Sequence, residues 1–210
     1  MIFLLLLISS FQVNAIVLTG DTTGFFVDGD VESNTVEWGG GFSPHSSLML
    51  AAEGAFSAEM GVPFKIATLT YDNKKTFEVL SEADLTIKLS FVQSEVIKSL
   101  GFNYKLTINE TNNRSDNSDD RVMLTPVVEF EPLFNLNGEE YIFSLLGFKK
   151  GDDVLGYSYE NFFDQPENSN SSSELYAVID KLKPVPVPSA IWLFITALSG
   201  FFISSKRRVI

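Results

Sequence analysis

Ala83-Asp84-Leu85-Thr86-Ile87-Lys88-Leu89-Ser90-Phe91 alternates apolar and polar residues without a break. Leu85, Ile87, Leu89 and Phe91 fall on one face of an extended chain. Asp84, Thr86, Lys88 and Ser90 fall on the other. This is the period-two signature of a strand half buried in an antiparallel sheet. Residues 101–109 repeat it, with Phe102, Tyr104, Leu106 and Ile108 on one face. Residues 64–71, behind Pro63, form another β-rich run, and residues 140–148 and 173–182 are further candidates. Shorter strands are predicted at 24–28, 35–38, 47–50, 76–80 and 121–124. Turn chemistry separates the runs at Asp28-Gly29-Asp30, Gly39-Gly40-Gly41, Asp72-Asn73 and Asn137-Gly138. One short helix-like stretch covers residues 94–100, and residues 110–119 and 165–173 are polar loops. About ten strands without intervening helices predict an all-β fold, an antiparallel β-sandwich of jelly-roll-like type.

Composition narrows the function. The chain has 210 residues, 15 Lys plus Arg against 27 Asp plus Glu, a formal net charge of −12, one His and no Cys. Disulfides and cysteine-ligated metals are excluded. A nucleic-acid binder would carry a basic face, and this chain is acidic, so no nucleic-acid partner is expected. The 45% hydrophobic content supports a packed core. With 19 Phe, cohesion comes from aromatic burial, each buried Phe contributing roughly 2–3 kcal/mol.

Both ends read as addresses. Residues 1–15, MIFLLLLISSFQVNA, are an apolar run closed by Val13-Asn14-Ala15. Small or short side chains before the cut suit signal peptidase, so a signal peptide cleaved after Ala15 is expected. At the other end Lys183-Pro184-Val185-Pro186-Val187-Pro188 has three alternate residues without an N–H and is extended and polyproline-like. Residues 190–204 then run without a charge, and Lys206-Arg207-Arg208 follow. As a helix, residues 189–205 would span about 25 Å, close to the lower limit for crossing a bilayer. The basic triplet marks the cytoplasmic side and Trp192 suits the opposite interface. The chain is therefore divided into a signal peptide (1–15), a β-sandwich body (16–183) and a tail (184–210). Without the three basic residues of the tail, the body holds 12 basic and 27 acidic side chains, a net of −15.

The order Val185, Pro186, Val187, Pro188, then Trp192 in a short apolar helix, then Lys206, Arg207 and Arg208, resembles a PEP-CTERM sorting signal. It is most similar to the variant that reads Val-Pro-Leu-Pro-Ala, with Ser189 in place of the Ala and Val187 where the namesake motif has Glu. The resemblance implies a Gram-negative bacterium, processing by an exosortase, and a link to exopolysaccharide and biofilm.

The body resembles the choice-of-anchor K domain of bacterial surface proteins. The series is Thr22-Thr23-Gly24-Phe25-Phe26, Val36-Glu37-Trp38-Gly39, the run from Pro63 to Asn73, Asp120-Arg121-Val122, and Tyr141 to Phe148. Phe64, Leu69, Tyr71 and Asn73 are its clearest piece, and Lys74 stands where that family has Gly. The resemblance implies a secreted β-rich module and carries no catalytic residue across.

No constellation marks an active site. His45 is the only histidine, so no zinc His pair forms, and a surface-loop role is its simplest reading. Asp116, Asp119 and Asp120 have the spacing hard cations favour. The EF-hand pattern fails, because Arg121 and Val127 occupy the positions of its Gly and Glu. Asp28 and Asp30 form a second half-site, and at each loop a hydrated turn is the favoured alternative to calcium. Glu139 and Glu140 point to opposite faces of an extended chain, so they are no natural acid–base pair. No cofactor and no catalytic activity are expected. The leading expectation is an exported, non-enzymatic cell-surface or matrix protein, a substrate of signal peptidase and exosortase and bound to the membrane by its C-terminal helix until cleaved. The alternative is a secreted carbohydrate-binding module, assisted by calcium in its loops.

Overall fold

The computed structural model describes residues 16–40, 44–76, 80–93, 96–109, 119–126, 133–136, 138–153 and 156–182. Among the described residues the chain forms fourteen strands and no helix. In chain order they are β1 (Val17–Asp28), β2 (Val31–Ser33), β3 (Thr35–Gly39), β4 (His45–Ala52), β5 (Gly54–Glu59), β6 (Phe64–Asn73) and β7 (Glu82–Gln93). There follow β8 (Val96–Asn109), β9 (Asp119–Pro126), β10 (Leu133–Leu136), β11 (Glu139–Asp153), β12 (Gly156–Glu160), β13 (Phe162–Pro166) and β14 (Ser169–Lys181). They build two seven-stranded antiparallel sheets. One runs β13-β9-β8-β7-β1-β2, with β5 beside β2 along the same edge of β1. The other runs β10-β11-β14-β6-β4-β3, with β12 beside β10 along β11.

The sheets pack face to face through the alternating side chains. Leu85, Ile87, Leu89 and Phe91 of β7 and Phe102, Tyr104, Leu106 and Ile108 of β8 are all buried. They meet Leu48 and Leu50 of β4, Leu69 and Tyr71 of β6, and Leu175, Ala177 and Ile179 of β14. Aromatic rings link the layers. Phe64, Phe56, Phe91, Phe134 and Tyr141 form a continuous string with centroid separations of 5.1 to 5.6 Å. Phe102 stacks on Phe143 at 4.3 Å.

Two bulges reset the pattern. In β6, Ala67 and Lys65 pair with the consecutive residues Leu175 and Tyr176, so Ile66 is inserted without a partner. In β11, Leu145 and Gly147 pair with the consecutive residues Ala177 and Tyr176, so Leu146 is inserted. Each shifts the inward phase by one residue, which keeps both Phe143 and Phe148 in the core.

Several expectations are corrected. Residues 96–100, read as part of a helix, belong to β8, where Val96 pairs with Gln93 and Leu100 with Leu89. A seven-residue helix cannot offset its nucleation cost against a continuous hairpin ladder. Asp72 and Asn73 end β6 instead of turning, because the Asn73 side chain finds backbone acceptors across the sandwich. Residues 165–173, read as a polar loop, are the end of β13, a two-residue turn of Glu167 and Asn168 with Asn168 at φ 53°, and the start of β14, so the chain crosses here from one sheet to the other. Thr76 and Leu80 lie outside strands, and residues 77–79 lie outside the described residues. The expected strand at 24–28 is the end of the longer β1.

The body's two ends leave together. Met60 N–H donates to the Ile16 carbonyl at 3.1 Å, and the next amide, Gly61, donates to the Ile179 carbonyl at 3.0 Å. The last described residue, Leu182, is held by the Glu140 carbonyl at 2.9 Å. From this end β1 runs about 37 Å to the Asp28-Gly29-Asp30 turn at the opposite end. β6 and β14, which are antiparallel, span the same length: Phe64 pairs with Ala177 near the termini and Asn73 with Ser169 far from them.

Candidate functional site

Polar residues concentrate at the end opposite the termini. Tyr71, Asn73, Asp120 and Gln165 are all buried there, although three of them are polar side chains that burial penalises. The Tyr71 hydroxyl lies 3.2 Å from Asp120 Oδ2 and 3.4 Å from Asn73 Oδ1. The shorter, charge-assisted bond is to the carboxylate. Asn73 Nδ2 donates to the carbonyls of Gln165 at 3.2 Å and Pro166 at 3.4 Å. The Gln165 amide donates to Ser169 Oγ and accepts from the Ser171 hydroxyl. The network ties β6 and β14 of one sheet to β9 and β13 of the other. It clamps the sandwich where the ring string does not reach.

Glu167 stands in the turn above this network. Both its carboxylate oxygens are shielded from solvent, with no hydrogen-bond partner among the described residues. Burial raises its pKa above the usual carboxylate value. The charge of Asp120 adds to the rise and Lys75 opposes it. Beside it, the Arg121 guanidinium grips Asp164 through two bonds of 2.7 and 2.9 Å and holds that carboxyl below its ordinary value.

A cleft of about 500 Å³ opens at the same end of the molecule, where β1, β3 and the start of β7 diverge. Phe26, Val36, Leu80 and Ala83 form an apolar floor. Asp28, Glu37 and Asp84 are exposed at its rim. Among the described residues its one cation is Lys105, held by Glu82 at 2.8 Å, which raises the lysine pKa.

The predicted site residues are spread out. His45 is exposed at the start of β4. Asp28 sits on the cleft rim, and Asp30 is exposed in the turn. Asp119 is exposed while its neighbour Asp120 is buried, so the two do not converge as cation ligands. Asp116 lies outside the described residues. Glu139 pairs with Lys181 at 3.0 Å, and Glu140 is exposed beside it. Among the described residues no three His, Cys, Asp or Glu group as a metal site. Ala15, Val185, Pro186, Val187, Pro188, Trp192, Lys206, Arg207 and Arg208 lie outside the described residues.

Sequence reasoning missed Gln165, Glu167 and Thr22. Burial of a Gln in a Gln-Pro-Glu-Asn run leaves no periodic signal, because such composition reads as a turn. Tyr71 and Asn73, singled out as a family-like signature, have a structural task in the network. No family model and no curated protein matches this chain.

Proposed function

We propose that this chain is an exported surface or matrix protein without enzymatic activity, delivered by its N-terminal signal and held at the membrane by its C-terminal tail until an exosortase acts. The observation that carries the reading is the shared exit of the two ends. Ile16 and Ile179 are bound by consecutive amides, so both greasy termini attach to one end of the sandwich. A body tethered there presents its opposite end, with the cleft, outward. A cut after Ala15 would leave intact every strand pairing of the described residues, whose first member is Val17.

The absence of Cys permits a direct test. In a Gram-negative host lacking exosortase, Asp30→Cys should react with a membrane-impermeant maleimide in spheroplasts. Arg208→Cys should react only after lysis. Labelling of Arg208→Cys alone in intact spheroplasts would overturn the orientation, and protection of both would overturn export.

A further inference from the structure

The cleft at the outward end combines two features that belong to one kind of ligand. Its floor of Phe26, Val36, Leu80 and Ala83 favours methylene groups over water. Its rim carries Asp28, Glu37 and Asp84, each exposed and in no ion pair among the described residues. Among the described lining residues Lys105 is the one cation, paired with Glu82 and also within the field of Asp84, and the four carboxylates Asp28, Glu37, Glu82 and Asp84 leave an excess of three negative charges. A purely inorganic cation would use the rim and leave the floor wet. A neutral saccharide would leave the carboxylates uncompensated. A chain of methylenes bearing ammonium groups satisfies both surfaces, and about 500 Å³ accommodates it.

We propose that this cleft is a binding site for an aliphatic polyamine, with ammonium groups on Asp28, Glu37 and Asp84 and the carbon chain on the apolar floor. The proposal is independent of export, because it concerns binding by the folded body whatever compartment holds it. Association is driven partly by charge, so it weakens as salt shortens the screening length from about 10 Å at 0.1 M.

The test is calorimetric titration of the full chain, purified in non-ionic detergent, with spermidine as the probe. Binding should be saturable with one site. Asp28→Asn, Glu37→Gln and Asp84→Asn together should weaken it at least tenfold. A control that removes the same charge elsewhere, Asp21→Asn with Glu59→Gln and Glu140→Gln, should weaken it less than twofold. Hexaamminecobalt(III), equal in charge but without a carbon chain, should bind at least fivefold more weakly than spermidine. Unchanged melting temperatures show that the variants fold, and Glu37→Gln alone, with a severalfold loss, provides a milder second variant. Lack of saturable binding, equal weakening by the control, or equal affinity for the cobalt complex would each overturn the proposal. A glucosamine oligosaccharide that binds where spermidine does not would overturn it in favour of a saccharide.

Discussion

Gly147 sits at φ +108°, and a Cβ built there would meet the Glu160 carbonyl oxygen at 2.3 Å. Only glycine fits the bulge that keeps Phe148 in the core. Gly147→Ala should therefore cost about 3 kcal/mol, lowering the melting temperature by roughly 6–12 °C for a body of this size. Gly101 on β8 has no atom near its would-be Cβ, so Gly101→Ala should change stability by less than about 0.5 kcal/mol. Thermal unfolding of the two variants separates a required glycine from an incidental one. Gly20 is a third case, because a Cβ there would meet the Ser90 carbonyl at 2.2 Å and the Phe56 ring at 2.9 Å. Glu167 gives a pH test at the same scale. Its folded pKa is raised above 4.5, so the folded state holds this proton more tightly than the unfolded chain. Stability from this group is intact below pH 4.5 and is lost as pH rises through the raised folded value. Glu167→Gln should raise the melting temperature at pH 7 and leave it unchanged at pH 4. A variant that melts earlier at pH 7 would contradict the assignment.

The strands depend on a few polar stitches as well as on alternation. Thr22 is buried in β1, and its hydroxyl accepts from the Gly54 amide at 3.1 Å. The hydroxyl oxygen also lies 3.2 Å from the carbonyl oxygens of both Gly54 and Ile66, to which it donates. It thus joins β1 to β5 and to the inserted residue of the β6 bulge. Thr22→Val keeps the shape and removes the stitch, and should cost about 1–3 kcal/mol, read by urea denaturation. β7 and β8 were legible in the sequence because residues 83–91 and 101–109 face one core with strict alternation. The bulged β11 was legible only in outline, since Leu145-Leu146-Gly147-Phe148 breaks the period. Residues 94–100 and the Asp72-Asn73 pair misled for one reason. Local propensity favoured a helix and a turn, while cross-strand pairing and a buried amide network decided the outcome. The turn of Glu167 and Asn168 between the two sheets misled likewise, its polar composition hiding a buried Gln165.

For the molecule as a whole, the sandwich holds two complete sheets and a continuous core within residues 17–181. The fold class could be read from alternation, but the cleft could not. Phe26 and Val36 come from β1 and β3, which are close in sequence, and Ala83 from the distant β7, and only sheet packing brings them to one opening. The shared exit of the ends was equally hidden: Gly61 and Pro63 mark a turn in the sequence, but not which carbonyls the amides of Met60 and Gly61 bind. In the proposed function both apolar termini are delivery signals for this body. Intact mass and N-terminal sequencing of the protein recovered from its native host test it most directly. The expected chain begins at Ile16 and lacks Lys206, Arg207 and Arg208. Recovery of the 23.3 kDa chain of residues 1–210 would contradict delivery by either signal, and a chain of residues 16–210 would contradict exosortase processing.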